Sequence, residues 1–164
     1  TFLIDVINKV LVDLKLDDKR LEIFNRSMTI SADNAHAIHP NHPEKSDPTN
    51  NVKLNNGIVI KYNSGLSYTS DAVSAGIFKN ICNEENVPYQ VYTNRSDLRG
   101  GGTLGSILLH TFSATSVDIG LAQLAMHSAY ETAGTKDLEM MKKVLKAFYS
   151  RHLNYQNTKA LTIK

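Results

Sequence analysis

Short runs of β-branched and aromatic residues alternate with amphipathic helical stretches along this chain, and that alternation restricts its fold more than any other feature. Strands are predicted at 27–33, 57–62, 89–93 and 116–119. Helices are predicted at 2–14, 71–86 and 137–152, with shorter helical pieces at 21–24 and 104–108. Helices that separate consecutive strands are typical of parallel sheets. The sequence therefore predicts an α/β fold with a mixed, largely parallel sheet flanked by helices.

Residues that favour turns and helix ends bound these elements. Ser70 is predicted to cap the helix that starts at Asp71, because a serine side chain accepts hydrogen bonds from the free N–H groups of a first helical turn. Glycines occupy positions 100–102, just before the short helix. The polar segment 34–56 contains three prolines. It is predicted to be a long functional loop rather than a linker.

Length and composition exclude several classes of protein. The chain has 164 residues, which is one domain's worth, and a formal net charge of +2 without a basic block. Binding to nucleic acid or to an anionic membrane is therefore not expected. No apolar run approaches the length of a membrane span. Cys82, the single cysteine, excludes an internal disulfide and fits a reducing cytoplasm. It lies in a helical pattern and is predicted to be a small buried residue rather than a nucleophile.

One segment, at the end of the first predicted strand, is rich in side chains that can bind metals or transfer protons. Residues 31–42 read SADNAHAIHPNH. They supply Asp33, His36, His39 and His42, all of which are potential metal ligands or proton carriers. Strand ends in α/β proteins are common positions for sites, because the loops there converge on a crevice. The alternative is that these histidines are loop residues that cap turns.

A second segment near the far end of the chain strengthens the functional interpretation. Residues 117–131 read VDIGLAQLAMHSAYE, in which a short strand enters a loop that carries His127 and then Glu131. A histidine and a carboxylate from separate strand-end loops are usual components of a zinc hydrolase site.

Four blocks in this order resemble the aspartyl aminopeptidase-type family of dinuclear zinc aminopeptidases. They are SADNAHAIHPN from residue 31, GIVIK from 57, the glycine-rich turn ending in GTLG at 102–105, and VDIG with QLAMHS from 117 to 128. The resemblance spans nearly the whole chain and corresponds to the carboxy-terminal part of the family's catalytic domain. The expected fold is then zinc-peptidase-like, with residues 1–164 forming a partial catalytic domain.

The resemblance implies a role for each matching residue. Asp33 and His127 would each bind one of two zinc ions, and His36 would stabilise the tetrahedral intermediate as a catalytic residue. Lys61 would reach an acidic side chain on the first residue of a peptide substrate. The remaining substrate-pocket positions are Tyr68, Gly101 and Gly102. The implied activity is release of amino-terminal residues from peptides, with acidic residues, Asp or Glu, as the expected preference, by an enzyme that forms a homo-oligomer in the cytoplasm.

The chain departs from the family pattern in two respects. Arg99 and the glycines after it stand where Pro-Cys-Gly is commoner, although Asp97 matches an acidic position there. The family also takes a histidine, a bridging aspartate and a Glu-Glu pair from sequence upstream of the first block. The chain starts at Thr1 and has no such pair before Asp33. It is therefore expected to hold about half of the site, without the upstream half and the inserted dimerisation domain, and to be inactive in isolation.

Several alternatives remain beside this interpretation. The chain could be a non-catalytic fragment that acts as an assembly or binding module, or part of a related zinc amidase or carboxypeptidase. Without the resemblance, Lys61 would be assigned as a strand-edge lysine that faces water. His39 is predicted to be structural or to support a metal ligand, and Asp118 and Glu131 to orient their neighbours. The remaining histidines, predicted to face solvent or to pack, are His42, His110 and His152.

Overall fold

The computed structural model describes residues 2–155 and 161–163. Within these residues the helices are α1 (Phe2–Asp13), α2 (Arg20–Asn25), α3 (Ala72–Glu84), α4 (Leu104–Leu109) and α5 (Thr135–Tyr149). The strands are β1 (Met28–Ala32), β2 (Ala35–His36), β3 (Ile58–Tyr62), β4 (Tyr89–Thr93), β5 (Thr115–Gly120), β6 (Ala122–Leu124), β7 (Thr132–Ala133), β8 (Leu153–Tyr155) and β9 (Leu161–Ile163). None of the helices formed by residues 2–155 and 161–163 has both the length and the apolar character needed to cross a membrane.

The main sheet has four strands in the order β1-β5-β3-β4. Strand β1 runs parallel to β5 and β3 runs parallel to β4, whereas β3 and β5 are antiparallel. Parallel pairings therefore predominate in a mixed sheet, as predicted. The central strands β3 and β5 are buried along nearly their whole length, whereas the edge strands β1 and β4 are mostly half-buried.

The core lies between this sheet and helices α3 and α5. Ile58, Ile60, Val117 and Ile119 from the two central strands are fully buried. Phe78, Ile81 and Cys82 from α3 and Val144 from α5 pack against them. The prediction that Cys82 is a small buried residue is confirmed, and burial raises the pKa of its thiol to about 12.

A second, smaller sheet has the strand order β2-β6-β7 and follows directly after the paired strands β1 and β5. After β1 and β5 separate, the chain continues with β2 parallel to β6. The break occurs where Gly120 passes the backbone of Asp33. A Cβ on Gly120 would lie 1.9 Å from the carbonyl oxygen of Asp33, so only glycine permits this approach.

Three details differ from the sequence-based prediction. Ser70 is not the N-cap of α3: Asp71 caps it, with its carboxylate accepting a hydrogen bond from Ser74 N–H at 2.7 Å. The final helix begins and ends earlier than predicted, at Thr135 and Tyr149, so His152 lies beyond it. The segment 34–56 is not wholly a loop, because it contains β2 and a 3₁₀ turn at Pro43–Lys45.

Candidate active site

The residues predicted to form the site share one cavity at the ends of the strands. The cavity has a volume of about 390 Å³. Its lining includes all seven predicted site residues, namely Asp33, His36, Lys61, Tyr68, Gly101, Gly102 and His127. Residues that are far apart in sequence therefore meet in one cavity.

Asp33 owes its position to the end of strand β1. Its N–H donates a hydrogen bond to the carbonyl of Ile119 at 3.0 Å, which continues the β1–β5 pairing by one residue. The close approach to Gly120 holds the backbone against β5. The side chain is exposed on the cavity wall, where a carboxylate can act as a ligand.

His36 lies on β2, opposite Gln123 of β6. His36 as a whole residue is exposed, but its imidazole ring is partly desolvated. Burial lowers the pKa of His36 below its usual value, repulsion from His127 and Lys61 lowers it further, and Asp33 opposes these effects. The neutral imidazole is therefore favoured near neutral pH.

His127 is held in an uncommon backbone conformation. Its backbone φ is 68°, in the left-handed region that residues other than glycine rarely adopt. Ala125, two residues earlier, has a φ of 52° in the same region. The Glu131 carboxylate accepts a hydrogen bond from His127 N–H at 2.6 Å. This contact matches the prediction that Glu131 orients a neighbour. Such strain at a loop that faces a cavity is typical of functional positions.

Lys61 is buried although it carries a charged group. Only 2% of the residue is exposed. Its Nζ donates to the carbonyl oxygen of Asn34 at 3.1 Å and lies 5.2 Å from the ring centre of Tyr68. Burial lowers the pKa of Lys61, while Asp33 and Asp118 oppose that shift. The alternative that Lys61 faces water is therefore wrong.

Tyr68 forms the wall beside this ammonium group. Its ring packs edge-on against Tyr92 at 6.3 Å between ring centres. Its hydroxyl donates to Oδ1 of Asn94 at 3.4 Å. Burial, followed by the nearby Tyr92 and the carboxylates of Asp118 and Asp33, raises the pKa of Tyr68 to about 12. The phenol is therefore a neutral group at physiological pH.

Asp118 anchors the segment that carries Tyr68. It is fully buried, and its Oδ2 accepts hydrogen bonds from Thr69 N–H at 2.6 Å and from the Thr69 hydroxyl at 2.8 Å. Ser70 bonds to the backbone of the same residue, accepting from Asp118 N–H at 2.9 Å. This geometry matches the prediction that Asp118 orients its neighbours.

The glycine-rich turn forms the opposite rim of the cavity. A Cβ at Gly101 would meet no atom within 4 Å, and one at Gly102 would lie 3.6 Å from the carbonyl of Ser67. These glycines are therefore not required by local packing, and they leave the rim open. Arg99 is exposed on the same rim and adds a cation to the cavity lining.

The other histidines divide as the sequence suggested. His39 accepts a hydrogen bond from Asn41 N–H at 3.2 Å, which supports a structural role in its loop. His42 is exposed, and its Nδ1 lies 3.2 Å from Oε1 of Glu44. Both line the outer cavity. His110 and His152 are exposed and lie away from the cavity.

Sequence reasoning missed several residues of the lining. Asn34, Gln123, Tyr92, Asn94 and Arg95 all face the cavity. Asn34 and Gln123 lie inside the recognised blocks, but an amide gives no signal by itself. Arg95 joins two rim loops by donating hydrogen bonds to the carbonyl of Glu44 and to Asp97.

The metal-ligating side chains of the cavity fit only part of a zinc site. Asp33 offers a carboxylate and His127 an imidazole, both of which are ordinary zinc ligands. Among residues 2–155 and 161–163, however, no group of three or more His, Cys, Asp or Glu side chains is arranged to hold a metal ion. A zinc ion usually takes three or four protein ligands. Within the described part of the chain, Asp33 and His127 therefore match only part of the ligand set that a zinc ion requires.

The mixed sheet and the strand-end cavity together define an α/β fold of the zinc-peptidase type. The chain belongs to the family described as Aminopeptidase I zinc metalloprotease (M18), whose sequence profile matches residues 1–149. This finding confirms the resemblance seen in the sequence blocks.

Individual relatives agree with this assignment. The chain is 45% identical over 149 residues to the "Probable M18 family aminopeptidase 2" of Stutzerimonas stutzeri (strain A1501), covering 91% of this chain and 34% of that protein. It is 44% identical over 149 residues to the protein of the same description from Clostridium novyi (strain NT), covering 90% and 34%. The chain thus spans about a third of the length of these relatives.

Solved structures show the same fold. The structure described as "Cryo-EM structure of the Ape4 and Nbr1 complex" superposes with a TM-score of 0.86 at 31% identity, covering 91% of this chain and 28% of that one. The structure described as "Crystal structure of prApe1" superposes with a TM-score of 0.75 at 27% identity, covering 78% of this chain and 27% of that one.

Proposed function

We propose that this chain is the carboxy-terminal portion of the catalytic domain of a metalloaminopeptidase that releases amino-terminal residues from peptides. The observation that carries the proposal is the shared cavity lined by Asp33, His36, Lys61 and His127 in a chain of the M18 family. The complete enzyme would hold two zinc ions.

Asp33 and His127 are the proposed metal ligands, one for each ion. They lie on separate loops, one after β1 and one after β6, and both reach the cavity. A carboxylate is a hard oxygen ligand and an imidazole a borderline nitrogen ligand, which suits zinc. Zinc bound there would polarise the scissile carbonyl and activate water near neutral pH.

His36 is the proposed catalytic residue of this half of the site. Its lowered pKa favours the neutral ring, so that one ring N–H remains a donor and no further positive charge is added to a cavity that Lys61 and Arg99 already line. A donor aimed at the developing oxyanion typically contributes about 3 kcal/mol to transition-state stabilisation.

Lys61 and Tyr68 are proposed to form the pocket for the first side chain of the substrate. One N–H of the Lys61 ammonium is used by Asn34, and the group borders the cavity. A buried cation favours an anionic partner because leaving it unpaired is costly. An acidic first residue, Asp or Glu, is therefore the proposed preference, with Gly101 and Gly102 leaving room at the rim.

The remaining ligands and the general base are proposed to come from residues outside this sequence. The supporting observations are the incomplete donor set of the described residues and the coverage of about a third of the relatives. The complete protein is further proposed to be a cytoplasmic homo-oligomer that acts on peptides.

The second candidate function is a non-catalytic assembly or binding module. It is favoured by the same observation, that the described residues hold no group of three metal-ligating side chains. A module of this kind would carry no zinc even in the complete protein.

Zinc content distinguishes the two candidates. In the complete protein, Asp33→Ala and His127→Ala are each expected to lose about one zinc equivalent after dialysis, with unchanged circular dichroism, because metal binding depends on each ligand. His110→Ala is the matched control, since His110 lies away from the cavity. Full zinc content in either variant would remove that residue from the ligand set, and a zinc-free wild type would favour the module.

A further inference from the structure

Two amides and a lysine join the loop of Asp33 and His36 to the strand that leads to His127. We call Asn34, Lys61 and Gln123 the Asn34 clasp. Asn34 Nδ2 donates a hydrogen bond to Oε1 of Gln123, and Lys61 Nζ donates to the Asn34 carbonyl oxygen at 3.1 Å. The contact between Asn34 and Gln123 spans 89 positions of sequence.

Two members of the clasp are buried and the third, Asn34, is half-buried. Gln123 is 4% exposed and Lys61 is 2% exposed. A buried amide or ammonium without a partner costs free energy, so each member of the clasp restrains the others. The Asn34 side chain and backbone are both used, which fixes the orientation of this residue rather than only its position.

The elements that the clasp joins are short. Strand β2 has two residues and β6 has three. They pair at Ala35 with Ala122 and at His36 with Gln123, and Ala37 N–H adds a hydrogen bond to the Gln123 carbonyl at 2.8 Å. Ala35 N–H donates a further hydrogen bond to the Leu121 carbonyl at 2.9 Å. The side-chain contacts of the clasp add to this short backbone ladder in setting the relative placement of the two loops.

The clasp lies between the loop of Asp33 and His36 and the segment that leads to His127. Asn34 immediately follows Asp33 and is two residues before His36, and Gln123 is four residues before His127. We propose that Asn34 and Gln123 are positioning residues that set the placement of Asp33 and His36 relative to His127. The consequence for metal binding rests on the proposed function, whereas the restraint on the loops does not.

Gln123→Met tests the clasp, because it removes the acceptor while keeping the volume of a buried side chain. Gln123→Glu keeps an acceptor for Asn34 and is the conservative variant. Gln90→Met is the matched control, since it removes another glutamine side chain that bonds to a distant segment, here to the backbone of Lys53 and Gly57, but outside the cavity. Asn34→Ala removes the donor of the same bond from a partly exposed residue and serves if Gln123→Met does not fold.

Zinc affinity of the complete protein, measured by competition with a chelator, is the first readout. Gln123→Met is expected to weaken it by about 10- to 100-fold, as is typical when a group that orients a metal ligand is removed. Gln123→Glu should recover most of the loss, and Gln90→Met should have no effect. Equal losses in Gln90→Met and Gln123→Met would assign the effect to general stability and overturn the proposal.

Amide hydrogen exchange of residues 33–37 in the metal-free protein is the second readout. Exchange should be faster in Gln123→Met and Asn34→Ala than in the wild type, with Gln123→Glu in between or unchanged. If the wild type binds no zinc, the proposed function fails, but this measurement still decides the clasp. Unchanged exchange in both removal variants would overturn it.

Discussion

Lys61 shows how a charged side chain is accommodated inside this fold at the residue scale. Its neighbours on β3, Ile58, Val59 and Ile60, are fully buried, and its Nζ reaches one carbonyl oxygen and the face of Tyr68. Long basic side chains can bury their methylenes in this way if the charged end finds polar partners. The carboxylates of Asp33 and Asp118 offset part of the cost of desolvation.

Substrate preference is predicted to depend on Lys61. In the complete enzyme, Lys61→Met should lower kcat/KM for Glu-derived substrates relative to Leu-derived ones by about tenfold to a hundredfold, because a charge-assisted hydrogen bond contributes roughly 1.5–3 kcal/mol. Lys53→Met, at an exposed position, is the control. Equal losses for the two substrates would make Lys61 structural, through its bond to Asn34.

Cys82 gives a prediction for stability at alkaline pH. The thiol has an ordinary pKa near 9.0 when unfolded and about 12 in the fold. The unfolded state therefore releases this proton first, so the contribution of the buried thiol is complete below pH 9 and is lost as the pH rises toward 12. Urea unfolding at pH 8 and pH 10.5 should show a smaller decline for Cys82→Ala than for the wild type. The same decline in both proteins would contradict the burial of the neutral thiol.

At the scale of elements, the start of α3 shows why local sequence signals are ambiguous. Ser70 and Asp71 are both good N-cap residues. The structure uses Asp71 in a capping box with Ser74, while the Ser70 hydroxyl bonds to the backbone of Asp118 on β5. Sequence patterns cannot rank these two neighbours as N-caps. The tertiary contact between Ser70 and β5 decides that Asp71 is the cap.

The capping assignment predicts the effect of substitution at Asp71. Asp71→Ala should lower the free energy of unfolding by about 1 kcal/mol, because it leaves a free N–H in the first turn of α3. Asp71→Asn keeps a side-chain acceptor and should lie within a few tenths of the wild type. Urea denaturation with an unchanged m-value measures both, and an equal loss in the two variants would assign the effect to charge instead of capping.

The limits of the sequence-based analysis follow from element length. Strands β3 and β5, with five and six residues, are predicted within one residue at each end. Strands β2, β6 and β7 have only two or three residues each, too few to show any periodicity. Their pairing also depends on partners far away in sequence. This is why Gln123 of β6 was missed although His127, in the same block, was identified.

At the scale of the whole molecule, the sheet brings together residues from both ends of the chain. Strand β1 pairs with β5, and this parallel pairing places the loop of Asp33 beside the segment that leads to His127. The sequence predicted the four strands of the main sheet and, through the resemblance, seven residues that line the cavity. It did not predict the order of the strands or the burial of Lys61, because both depend on long-range packing that no local pattern records.

The same organisation predicts how the chain behaves alone. The 164-residue chain is expected to show negligible peptidase activity with added zinc, because its described residues offer an incomplete ligand set and because the general base is proposed to lie in residues outside this sequence. Loss of a catalytic base typically lowers the rate by about 10²–10⁴-fold, and incomplete metal binding adds to that loss. Release of amino-terminal Glu from a peptide, followed by mass spectrometry, measures the activity against the complete enzyme at equal concentration. Fast, zinc-dependent turnover by the purified chain, abolished by a chelator and by His127→Ala, would show that these residues contain a complete site and would overturn the proposed division of the active site.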